Sequence, residues 1–263
     1  MRKAARSSEP DRYLAALLAP RAACADLIAL AAFLGDIARI PLAVSEPMMG
    51  EIRLQWWRDA LVTLRNGTAT GNPIADAVGT TIRAHALPEA LFLHIIDARS
   101  RDLDPQARLS RVGADTYFND TEGAAFQLAA LVLGINGQRE VPELMSAAGQ
   151  AYGRIRLLRS LPRALAKGRV PAPLEGVLSA PDDDWITGTL PMRDSVKKWL
   201  EKARQLARTA PLAVLPAILP LALVEPYLAA LERQGPNMVR QTADISPLTR
   251  VWRLWRANTL GRI

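Results

Sequence analysis

Apolar residues recur at helical spacing along nearly the whole chain. In residues 11–34, DRYLAALLAPRAACADLIALAAFL, they fall three and four apart, and Pro20 breaks the run into two helices. The pattern predicts a helix over 46–66, opened by Pro47 and closed by Asn66-Gly67. Shorter helices are predicted over 72–86 and 88–100, the second opened by Pro88. A long one lies within 105–134, carrying Tyr117, Glu122, Phe126 and Leu133, and Gly134 to Gly137 stop it. Another covers 141–167 and ends at Gly168. Residues 169–192, rich in Pro and Asp, are predicted to be the longest loop, with helices following at about 193–209, 211–232 and 245–259. No useful stretch alternates with period two, and no spacing repeats. The expectation is an all-α, bundle-like single domain over 1–263 with a central cavity, residues 1–10 serving as a flexible lead-in.

Composition supports this. Hydrophobic residues make up 49 % of 263 positions, enough for a sizeable core, and Ala and Leu dominate over β-branched types. The start, MRKAARSSEPDRYL, is basic but lacks the apolar centre of a secretory signal. Residues 211–231, PLAVLPAILPLALVEPYLAAL, look most membrane-like, but four prolines and Glu225 interrupt them. The uninterrupted run falls short of a bilayer of about 30 Å, so a buried, kinked core helix is expected. Cys24 is the only cysteine, in an apolar run, and reads as a structural thiol in a reducing compartment. With His85 and His94 as the only histidines, a zinc site is not expected. The net charge is +7, yet no block of five or more like charges exists, which argues against a nucleic-acid tail. No Gly-rich phosphate loop, HExxH or GxSxG is present.

Four stretches invite a chemical reading. Residues 51–59, EIRLQWWRD, place adjacent tryptophans inside a run of both charge signs. Either Trp56 and Trp57 are core anchors with ion pairs at the rim, or Glu51, Gln55 and Arg58 face a cavity and meet a ligand or partner. Residues 97–104, DARSRDLD, are expected to cap and pair at the surface. Asp182-Asp183-Asp184 is expected to start a turn or cap a helix at Trp185 rather than hold a metal. The tail LTRVWRLWRANTLGRI sets Val251, Trp252 and Trp255 on one helix face and Arg250, Arg253 and Arg256 on another. Packing back on the bundle or lying on an anionic membrane would both suit it.

The order of segments resembles the squalene/phytoene synthase family, over most of the chain. The matching pieces are Ala31-Ala32-Phe33, then EIRLQWWRDAL, then TYFNDTEGAAFQLA with Tyr117, then GQAYGRIRLLRSLPRALAKGRVPAP with Gly168-Arg169. The resemblance implies an all-α isoprenoid-synthase fold. It also implies two Asp-rich patches that hold Mg²⁺ against a diphosphate leaving group. After Phe33, however, the chain reads LGDIARIPLAV, with Asp36 alone and Arg39 nearby. In the second patch Arg156 stands for the family's Asn, and Ser160 and Ala164 for its aspartates. Arg39, Arg154, Arg156, Arg159 and Arg163 would make the region cationic. Arg39, Arg156 and Arg159 could bind a prenyl diphosphate or a phospholipid head, or pair with Asp36, Glu46, Glu51 and Asp120.

The pattern, including Ser45-Glu46-Pro47, is closest to a divergent branch with an assembly role for respiratory complex I. What the resemblance implies is a non-catalytic homologue without cofactor, binding a respiratory-complex subunit, an isoprenoid or a phospholipid. It would be cytoplasmic and associated with the inner face of the membrane. The alternative is an active prenyl-diphosphate transferase, which would need Mg²⁺.

Overall fold

The computed structural model describes residues 1–44, 46–104, 111–167 and 185–263. In chain order the helices are α1 (Arg2–Ser8), α2 (Pro10–Leu17), α3 (Arg21–Ala43), α4 (Pro47–Arg65), α5 (Pro73–His85) and α6 (Glu89–Ser100). A 3₁₀ turn (Arg101–Leu103) follows, then α7 (Arg111–Phe118), a π turn (Asn119–Gly123) and α8 (Ala124–Val132). The chain continues through α9 (Val141–Leu165), α10 (Trp185–Gly188), α11 (Leu190–Thr209), α12 (Leu215–Ile218), α13 (Val224–Gln234) and α14 (Pro247–Leu260). No strand occurs among the described residues.

Two helices are buried nearly all round over their middles and form the centre of the two cores. In α3 every residue from Leu27 to Gly35 is buried, and so is every residue of α9 from Ala147 to Ile155. The core around α3 takes side chains from α1, α4, α5, α6 and α8. The core around α9 takes them from α11, α12, α13, α14 and α2. Local chemistry sets the boundaries. The Asn72 side chain accepts from the amides of Ile74 and Ala75 at the start of α5, and Ser246 accepts from Thr249 at the start of α14. Gly67, at φ +82°, takes the chain away from α4 in a conformation that costs other residues more.

Several elements differ from the periodicity. Residues 2–8, read as lead-in, form α1, which buries Ala5 against the α3 core. Helix α3 runs on to Ala43 with Pro41 inside its last turn, so Asp36 and Arg39 are helical. The helix predicted over 211–232 is a chain of 3₁₀ and α pieces, interrupted where Pro216, Pro220 and Pro226 withhold backbone donors. By length and composition Leu212–Val239 would suffice to cross a membrane, but 67 % of its most apolar window is buried in the protein. Cys24 is half-buried at the edge of the α3 core. Asp182 to Asp184 lie outside the described residues.

Candidate functional site: a cavity between α3 and α9

The second halves of α3 and α9 face each other across a cavity of about 460 Å³. From α3 come Gly35, Ala38, Arg39 and Leu42; from α9 come Arg156, Arg159, Ser160, Arg163 and Ala164. The α1–α2 junction, the 3₁₀ turn, the π turn and the start of α14 close the remaining sides.

Its floor is a lattice of arginines and carboxylates. Glu9 accepts both terminal nitrogens of Arg156, at 2.8 and 2.5 Å, and one from Arg12 at 2.9 Å. Glu122 accepts from Arg12 at 2.6 Å and from Arg99 at 3.4 Å, and lies 3.4 Å from Arg156. Aromatic rings pack against the cations: Arg12 lies over Phe126 and Tyr152, and Arg156 over Tyr152. Burial alone would raise the Glu122 carboxyl. The charges of Arg156, Arg12 and Arg99 outweigh it and hold the group at about 2. Arg99 also donates to the Tyr117 hydroxyl at 2.6 Å, and that hydroxyl donates to Asp102 at 2.8 Å. Burial pushes the Tyr117 phenol well above its usual range; Arg99 opposes this and Asp102 adds to it. A second cluster adjoins the floor through Tyr152. Buried Asp11 accepts from the hydroxyls of Tyr152 and Tyr227 at 2.8 Å and pairs with Arg250 at 2.9 Å. Asp244 pairs with Arg159 and Arg250, and the Arg159 guanidinium lies 3.5 Å from the centre of the Tyr227 ring.

Charge is therefore distributed unevenly. The floor balances Arg12, Arg99 and Arg156 against Glu9, Glu122 and Asp102, and the second cluster balances Arg159 and Arg250 against Asp11 and Asp244. The rest of the lining carries Arg39, Arg101, Arg163 and Lys167, with Asp104. Lys167 donates to the Leu42 carbonyl, and Arg39 stands 3.9 Å from Asp36 with most of its side chain in solvent.

The squalene/phytoene synthase profile matches residues 5–254. The chain belongs to the squalene/phytoene synthase family. It is 26 % identical over 266 residues to the mouse (Mus musculus) protein named NADH dehydrogenase (ubiquinone) complex I, assembly factor 6, covering 95 % of this chain and 80 % of that one. The bovine (Bos taurus) protein of the same name is 26 % identical over 267 residues, with the same coverage. Among solved structures, squalene synthase HpnC from Alicyclobacillus acidocaldarius shares the fold with a TM-score of 0.74 and 22 % identity, over 89 % of this chain and 92 % of that one. A dehydrosqualene synthase in complex with ligand gives a TM-score of 0.75 at 12 % identity, over 98 % and 94 %.

Against the family pattern, the structure redistributes the residues singled out in the sequence. Tyr117, Arg39, Arg156 and Arg159 line the cavity, as does Arg163. Arg156 and Arg159 pair with Glu9, Glu122 and Asp244, not with the Asp36, Glu46, Glu51 and Asp120 group. Arg154 points elsewhere, pairing with Asp115 and lying over Phe118. Glu51, Gln55 and Arg58 do not line the cavity. Helix α4 turns Leu54 and Trp57 inward, which leaves these three beside α6: Glu51 accepts from Ser100 at 2.6 Å, and Arg58 joins Glu51 to Asp97. Gln55 donates to Asp59 on the exposed face. The tryptophan pair divides its work. Trp57 is buried, packs edge-on to Phe33 and donates its indole N–H to Asp36 at 3.0 Å, while Trp56 is 40 % exposed. DARSRDLD does both: Asp97 pairs with Arg58 at the surface, as expected, whereas Arg99, Arg101, Asp102 and Asp104 line the cavity. Arg169 lies outside the described residues.

Glu9, Asp11 and Arg12 escaped the sequence reading, and Glu122 and Arg250 were read only as positions on their helices, although all five organise the site. The one available signal was Arg156 in the apolar run AYGRIRLLRSL, since a buried guanidinium requires a partner. Among the described residues no three of His, Cys, Asp or Glu are grouped to hold a metal ion. Glu9 and Glu122, the carboxylates nearest the centre of the lattice, are already engaged by guanidinium groups, so these residues do not by themselves fit magnesium.

Proposed function

We propose that the protein is a non-catalytic squalene/phytoene synthase homologue that supports assembly of a membrane respiratory complex, with the cavity holding an anionic amphiphile. The observation that carries this reading is the cationic lining where α3 meets α9: Arg39 from α3 and Arg163 and Lys167 from the end of α9 line the same cavity as Ser160. In the family pattern that region would hold acidic patches gripping Mg²⁺. Direct guanidinium and ammonium contacts suit phosphate oxygens without a metal. Leu42 and Leu157 offer apolar surface beside them, so a prenyl diphosphate or a phospholipid fits the lining chemically. The assembly role follows the names of the mouse and bovine relatives. The cytoplasmic side of the membrane that carries the respiratory chain is the matching location, and no cofactor is called for.

The reading is tested by incubating the purified protein with farnesyl or geranylgeranyl diphosphate and Mg²⁺. Neither hydrocarbon nor diphosphate is expected. Turnover at ordinary enzymatic rates, about 1 s⁻¹ or faster, would assign head-to-head prenyl transfer instead. In parallel, a tagged copy expressed in its own host is expected to retain a respiratory-chain subunit through purification. Its consistent absence would remove the assembly role.

A further inference from the structure

Helix α14 has two opposite faces, and both are apolar. Leu254 and Ala257 are buried against the α9 core. Leu248, Val251, Trp252 and Trp255 lie on the far side at spacings of three and four, and all are exposed: Leu248 79 %, Trp252 54 % and Trp255 47 %. The two indoles stack on each other, with centroids 5.2 Å apart, and neither N–H meets an acceptor among the described residues. A surface helix normally turns charge outward here. The charges it does carry are all positive: Arg253, Arg256 and Arg262 flank the stripe exposed, and no Asp or Glu occurs from Ile245 to the end of the chain. Glu225, which feels the charge of Arg253, is held by Arg204 at 2.7 Å.

We propose that the outer face of α14 is a membrane-docking surface that takes an anionic phospholipid bilayer, the helix lying flat with Trp252 and Trp255 at headgroup depth. Stacked tryptophans offer apolar area with polar edges, which suits the interface between headgroups and acyl chains. The flanking arginines meet lipid phosphates. A second copy of the chain is a poorer occupant, because it would bring these arginines toward their own equivalents with no carboxylate on the helix to receive them. The inference does not depend on what the cavity holds.

The test is flotation of the full chain with vesicles of phosphatidylcholine alone and of phosphatidylcholine mixed with phosphatidylglycerol. The protein is expected to float with the mixed vesicles, to stay behind with the neutral ones, and to be stripped by high salt. Trp252→Ser/Trp255→Ser abolishes flotation. Each arginine contributes about fivefold at such a surface, so Arg253→Gln/Arg256→Gln binds about 25-fold more weakly. Thermal melting serves as the folding control, since these side chains are exposed. No flotation with mixed vesicles, or equal flotation of the tryptophan variant, would overturn the proposal. So would a dimer that the tryptophan variant converts to monomer. Titration of farnesyl diphosphate into the tryptophan variant stays unchanged, so loss of membrane binding is distinguishable from failure of the cavity reading.

Discussion

Glu122 keeps its charge under three guanidinium groups, and that fixes how single residues at this site respond to change. Its carboxyl is lowered from an ordinary 4.5 to about 2. A depressed carboxyl contributes stability that is complete above its unfolded value and is lost as pH falls through the folded one. The contribution is therefore expected in full above pH 4.5 and lost as pH falls through the lowered value. Melting temperature measured across that window should fall in the native protein and fall less steeply in Glu122→Gln. Glu122→Ala leaves Arg12 and Arg156 to share Glu9 and Arg99 to Asp102, an excess of buried cations that should cost about 3–5 kcal/mol at neutral pH, read by urea denaturation. The sequence exposed half of this arrangement. Arg156 stands out because its helical phase puts a cation in an apolar run. Its bidentate partner Glu9 lies 147 positions away in a stretch that looks like solvated lead-in, and one sequence holds no trace of that pairing.

At the level of elements, the lattice depends on how closely α9 approaches the π turn that carries Glu122. Gly149 sits where a Cβ would come within 2.3 Å of the Gly123 nitrogen and 2.5 Å of its Cα. The obstacle is backbone, so a side chain cannot swing aside to relieve it. Alanine is a better helix former than glycine by about 1 kcal/mol, but overpacking against backbone costs more. Gly149→Ala is expected to lower stability by about 1–3 kcal/mol net, seen as a shifted urea midpoint with an unchanged slope. Gly153 differs, since its Cβ would meet the Phe118 ring at 2.6 Å, a side chain that can shift, so Gly153→Ala should cost less. Periodicity predicted both long helices because their apolar faces are wide. It did not predict the π turn, since an extra residue in a helical turn leaves the surrounding apolar spacing intact at both ends. Nor did it predict α1, where a seven-residue helix with one buried side chain has no period to read.

For the whole molecule, the question is where a net charge of +7 goes. Order of segments along the chain was enough to reach the family and its all-α fold, because fold follows from the sum of many apolar positions. The destination of the charge was hidden, because it depends on which arginines find carboxylates in three dimensions. Among the described residues the deep arginines are neutralised, while Arg39, Arg101, Arg163 and Lys167 stand around the cavity and Arg253 and Arg256 on the outside of α14. If those lining cations take the place of a metal, ligand binding must be indifferent to chelators. Farnesyl diphosphate titrated into the protein by calorimetry should bind equally well in EDTA and in Mg²⁺, and more weakly as salt rises. Arg163→Glu and Lys167→Glu should each weaken it roughly tenfold, the scale of one charge-assisted hydrogen bond to phosphate. Binding that appears only with Mg²⁺ would mean that acidic ligands converge in the cavity after all, and the cationic lining would then be a bystander to ordinary family chemistry.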